Sequence, residues 1–111
     1  MAVIIKTENP EALLKEIKDT ITGNRAEGWE FDKDDDFTPT SFQWKKQAWF
    51  RPVKAEGELR FGIFPQKDKR ISKELYGVFH GRMIEMLLTY FDSSFTVATA
   101  TSKSTEDDHL E

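Results

Sequence analysis

The sequence predicts an α+β fold, a two-layer sandwich in which two helices cover one face of a mainly antiparallel sheet. Three observations lead there. Apolar residues recur at period two in several short segments and at helical period in two longer ones. The segments follow the order β-α-β-β-β-α-β, with short links between the three central strands. The predicted strands also keep one polar face, so only one side of the sheet needs a roof.

The chain opens with "AVIIK", residues 2–6, a β-branched run that predicts a strand at an edge. "ENPEALLKEIKDTI" carries the chemistry of a helix start: Asn9 suits the N-cap, Pro10 the first helical position, and Glu11 the positive end of the helix dipole. Leu13, Leu14, Ile17 and Ile21 form its apolar stripe, and Gly23, Asn24 or at the latest Gly28 ends it. "GWEFD" alternates, with Trp29 and Phe31 on one side, and predicts a half-buried strand. "DKDDDFTPTS" is expected to break regular structure through charge repulsion and Pro39.

"FQWKKQAWFRPV" then holds Phe42, Trp44, Lys46, Ala48 and Phe50 on one parity, and Gln43, Lys45, Gln47, Trp49 and Arg51 on the other. The first set is apolar except for Lys46 and the second polar except for Trp49, so a strand is expected, with the first set facing the core. "KAEG" predicts a turn, and "ELRFGIFP" repeats the pattern with Leu59, Phe61 and Ile63 inward.

"SKELYGVFHGRMIEMLLTYF" predicts the longest helix, with Ser72 as its N-cap. Leu75, Tyr76, Phe79, Met83, Met86, Leu87 and Tyr90 fill one arc, and Gly77, Gly81, Ile84 and Leu88 extend it. A helix so widely apolar is expected to be contacted on more than one side. "SSFTVATATS" predicts the last strand. The expected single domain spans residues 1–103. Residues 104–111 are expected to be a disordered polar tail whose closing Leu110 and Glu111 match the remnant of a purification-tag site.

Composition limits the function classes. The chain has 111 residues, 38% of them apolar, including nine Phe, three Trp and two Tyr, enough to build one core. With no cysteine there is neither a disulfide framework nor thiolate chemistry. No window approaches the ~18 apolar residues of a membrane span, and "MAVIIKTENP" lacks the basic start of a signal peptide. A cytoplasmic setting without membrane contact is expected. Net charge is −4, unevenly spread: residues 45–73 hold nine basic against three acidic side chains, while both flanks are acidic.

Few motifs carry chemistry. The run Asp32, Asp34, Asp35 and Asp36 does not have the spacing of an EF-hand loop and is expected to be a solvated, mobile loop. His80 has no Cys or His at ligand spacing, so no metal is predicted, although it is the best placed group for any pH response. No phosphate loop, GxSxG elbow or HExxH is present, so neither catalytic residues nor a cofactor are predicted. Two surfaces remain. Lys45, Trp49, Arg51, Arg60 and Phe64 form a candidate binding surface, with an aromatic on an otherwise polar strand face. Gly77, His80, Gly81, Ile84 and Leu88 form a candidate helix-packing or dimer surface, since a helical glycine costs ~1 kcal/mol relative to alanine and needs a reason.

The leading expectation is a non-catalytic protein- or peptide-binding adaptor module acting as a homodimer. The alternative is a nucleic-acid binder that uses the basic-aromatic strands 42–64, through Lys45, Lys46, Trp49, Arg51 and Arg60. A small-molecule enzyme ranks below both. The order of elements resembles that of several small α+β adaptor and chaperone folds, including dimeric secretion chaperones. No residue motif carries that likeness, and no residue role is taken from it.

Overall fold

A computed structural model describes residues 2–103. Its elements are β1 (Ala2–Lys6), α1 (Pro10–Thr22), β2 (Trp29–Phe31), β3 (Phe37–Pro39), β4 (Ala48–Ala55), β5 (Glu58–Pro65), α2 (Lys73–Tyr90) and β6 (Val97–Ala100), with a 3-10 turn at Asp92–Ser94. The expectations for residues 104–111 lie outside the described residues. All six strands form one antiparallel sheet in the order β2-β3-β4-β5-β1-β6. This is the α+β sandwich expected from the sequence.

Local chemistry accounts for the helices. The Asn9 side chain accepts a hydrogen bond from the Ala12 N–H at 3.0 Å, and Pro10 begins α1. Ser72 Oγ accepts from the Leu75 N–H at 3.1 Å to start α2. In each case the cap satisfies an N–H that the helix leaves without a partner. Asn24, at φ +59°, takes the left-handed conformation that turns the chain out of α1. Between β4 and β5, Ala55 faces Glu58 across a two-residue loop in which Gly57 sits at φ +72°.

Three expectations about the strands are corrected. β1 is not an edge strand: it pairs with β5 on one side and β6 on the other, which suits a segment whose Ala2, Val3 and Ile5 are fully buried. "DKDDDFTPTS" is not wholly irregular, because Phe37–Pro39 forms β3 against both β2 and β4. The strand expected to begin at Phe42 begins at Ala48, and residues 42–47 form turns. Phe42 is therefore fully exposed at 102% rather than inward. The ladder shows why. Ala48 faces Pro65, the last residue of β5, so the preceding residues have no partner strand, and Lys46 at φ +59° bends the chain away.

Both helices pack on one side of the sheet. Phe37, Phe50, Phe61 and Phe79 are fully buried there, with Leu59, Ile63, Met83 and Leu87. Their rings meet edge-on or tilted: Phe37 to Phe61 at 5.5 Å, Phe50 to Phe79 at 6.1 Å, Trp29 to Phe79 at 6.0 Å. These are the geometries favoured by the ring quadrupole. No helix among the described residues is long and apolar enough to cross a membrane.

Candidate functional site: an aromatic-cation patch on the open sheet face

Among the described residues no helix lies on the other face of the sheet. Trp49 and Phe64 are direct cross-strand partners there, and their rings stack at 5.5 Å with 19° between planes. Arg51, two residues along β4, faces Gly62, which has no side chain to block it. The guanidinium thus reaches diagonally over the Phe64 ring, 4.6 Å from its centre. Trp49 and Phe64 are half-buried and Arg51 is exposed.

Arg51 is held from behind. Its Nε and Nη2 donate to Oδ1 and Oδ2 of Asp36 at 3.0 and 3.1 Å, a planar fork on a carboxylate that is almost fully buried. The hydrogen bonds to Asp36 lead in raising the Arg51 pKa, helped by the charges of Asp36, Asp34 and Asp32 and opposed by burial. Sequence reading missed Asp36 as this partner. The signal was weak, since fifteen residues separate the two and only β3, itself unpredicted, brings them together.

The segment that holds Asp36 forms a turn: Asp32 Oδ1 accepts from the Asp34 and Asp36 N–H groups at 2.9 and 3.1 Å, Asp35 sits at φ +63°, and Asp32 and Asp34 face solvent as expected. Asp32, Asp34 and Asp36 each bring one carboxylate oxygen within 4.8 Å of the others. Asp36, however, spends both oxygens on Arg51.

Three of the nine cations in residues 45–73 stand in ion pairs among the described residues. Lys45 pairs with Glu30 at 3.2 Å, Arg51 with Asp36, and Arg60 with Glu58 at 2.5 Å. Glu58 also receives Lys6, its cross-strand partner, at 2.5 Å. Lys6 first, then Arg60, holds the Glu58 carboxyl below its ordinary pKa through hydrogen bonds. Of the five candidate binding residues, the structure brings Trp49, Arg51 and Phe64 into one contact set; Arg60 and Lys45 stand in their own ion pairs.

Of the five helix residues, His80 does not lie on the surface of α2 that the spacing of Gly77, Gly81, Ile84 and Leu88 defines. His80 is buried at 3% exposure, stacked at 4.4 Å on Tyr76 and edge-on to Phe50. Its Nδ1 lies 2.6 Å from the Tyr76 carbonyl, which can only accept, so Nδ1 carries the hydrogen. Ile84 is half-buried at the core edge, while Gly77, Gly81 and Leu88 face outward. A Cβ added at Gly77 or Gly81 would meet nothing within 4 Å, so neither glycine serves packing inside the chain.

A cleft of about 360 Å³ lies where the C-terminal half of α2 meets β2, β3 and the loop after β3. Trp29, Trp44, Met86 and Tyr90 form its apolar wall, and Glu27, Arg82 and Glu85 its charged rim. Period-based reading could not find it, because Trp44 had been placed on a strand. Comparison with protein-family models, curated proteins and solved structures finds no match to this chain.

Proposed function

We propose that this chain is a non-catalytic binding module that presents the open face of its sheet to a protein or peptide partner and works as a homodimer. The observation that carries the reading is the Trp49–Phe64 stack with Arg51 laid across it and Asp36 behind. Trp, Tyr and Arg dominate the binding energy of protein interfaces, and a side chain already held in place loses little freedom on binding. Here the cation is neutralised and oriented before any partner arrives. A partially exposed aromatic pair on an unroofed sheet is an apolar contact area with a polar border.

The ion pairs weigh against nucleic acid as the partner. Phosphate binding depends on cations free to replace counterions, whereas three of the four cations that reading names, Lys45, Arg51 and Arg60, already face a carboxylate among the described residues and only Lys46 does not. That alternative still makes a sharp prediction: affinity for a single-stranded oligonucleotide that falls steeply with salt.

The test is capture of partners from the native cell extract, followed by titration of whichever partner is found. Trp49→Ala should weaken that complex by about tenfold or more and leave the fold intact, since Trp49 lies outside the roofed core. An unchanged affinity in Trp49→Ala and Arg51→Ala together would remove the open face from the interaction.

A further inference from the structure

We propose that Phe42 of one copy inserts into the Trp29–Trp44–Tyr90 cleft of a second copy, and reciprocally, so that the homodimer is a two-fold exchange of one aromatic knob. The inference deepens the homodimer part of the function proposed above and rests on it.

Phe42 is the most exposed large apolar side chain among the described residues. It is not on a loose loop. The Trp44 and Lys45 N–H groups donate to the Ser41 carbonyl at 3.1 and 2.8 Å, the Lys46 N–H donates to Thr38 Oγ1 at 2.9 Å, and Gln66 Nε2 donates to the Lys46 carbonyl at 2.8 Å. A bulky ring held out on a tied-down turn has the form of an interface anchor, because little conformational entropy remains to be lost on binding.

The receiving site lies beside it on the same surface. Ser41 and Trp44, one residue before and two after Phe42, line the cleft. Its volume of about 360 Å³ admits a phenyl ring against the Trp44, Met86 and Tyr90 walls. A knob next to its own kind of hole is what a two-fold interface requires, since each surface must complement itself.

Charge points to the same occupant. The knob's turn carries Lys45 and Lys46, and the cleft rim carries Glu27 and Glu85 against the single cation Arg82. Among the described residues, Lys46, Glu27 and Glu85 make no ion pair, whereas Lys45 is already paired with Glu30. Docking two copies brings an unpaired lysine beside each ring toward an unpaired carboxylate on each rim.

The experiment is sedimentation of the full chain over a wide concentration range, with Trp fluorescence read in parallel because Trp44 lines the cleft. Wild type should pass from monomer to dimer with a matching change in Trp emission. Phe42→Ala should weaken dimerisation by about tenfold or more without unfolding, since the ring it removes is fully exposed. Lys46→Glu and Glu85→Lys should each weaken self-association, and an equimolar mixture of the two should restore it, because each contact then pairs opposite charges again. A wild type that stays monomeric throughout overturns both this interface and the homodimer reading, leaving the open-face reading to its own test. A dimer unaffected by Phe42→Ala overturns only this interface.

Discussion

The two faces of the sheet are built from neighbouring residues of the same strands, yet they are covered differently. Phe50 and Trp49 are adjacent in β4. Phe50 lies under α2 with no exposure, among Trp29, Phe61 and Phe79. Trp49 lies on the open side with one ring, Phe64, stacked on it and a cation nearby. The first contact set is closed on every side, so its energy goes into folding. The second is closed on one side only, so much of its contact area is still available. The contrast teaches that aromatic content alone says little about role; what matters is whether a second layer covers the ring.

Substitutions can break or sharpen this contrast. The largest effect should come from Phe50→Ala, expected to cost about 3–5 kcal/mol in denaturant unfolding because the roofed side cannot collapse into the void. A loss below about 1.5 kcal/mol, within the range of the open-face stack, would erase the difference between the faces. Asp36→Ala should cost about 1.5–3 kcal/mol, since the carboxylate accepts two hydrogen bonds from a charged donor. Half of the Arg51 side chain is exposed and can be rehydrated, which places the result toward the low end. The same variant should free Arg51 from Phe64, which a change in Trp49 emission would register.

The outward side of α2 offers the opposite sign. Gly77→Ala and Gly81→Ala should each stabilise the chain by about 0.8–1 kcal/mol, because the added methyl meets nothing and the helix loses a flexible residue. Loss of dimer in a chain that has become more stable would put the contact between copies on the bare helix face, outside the cleft, and would overturn the Phe42 interface. The smallest effect concerns Glu58. Its carboxyl is lowered by Lys6 and Arg60, so the contribution is complete above the unfolded value of about 4.3 and is lost as pH falls through the lower folded value. Glu58→Gln should therefore be less stable than wild type by about 0.2–1 kcal/mol near pH 7, and the gap should close below about pH 4. A gap that stays constant to pH 2 would assign the effect to packing instead of charge.

Much of the fold was legible because its signals are local. Asn9 and Ser72 cap their helices through bonds spanning three residues, and Leu59, Phe61 and Ile63 alternate within a strand that is long enough to show it. The candidate site was legible in part. Trp49 stood out on a polar parity, and Phe64 followed from strand pairing. Phe42, Asp36 and the cleft were not legible. Alternation continues through Phe42–Gln47, but a period of two yields a strand only where a partner backbone exists, and β5 ends at Pro65.

By itself, the sequence determined the helix starts, the inward parity of β4 and β5, and the α+β class, since caps and alternation act over a few residues through steric and hydrogen-bonding preferences of the local chain. The tertiary structure decided that β1 is interior, that Asp36 neutralises Arg51, that His80 is buried while its neighbours Gly77 and Gly81 stay bare, and that Phe42 stands in water beside a cleft. Each of these depends on which distant segment arrives at a given side chain, and no short-range preference encodes that meeting.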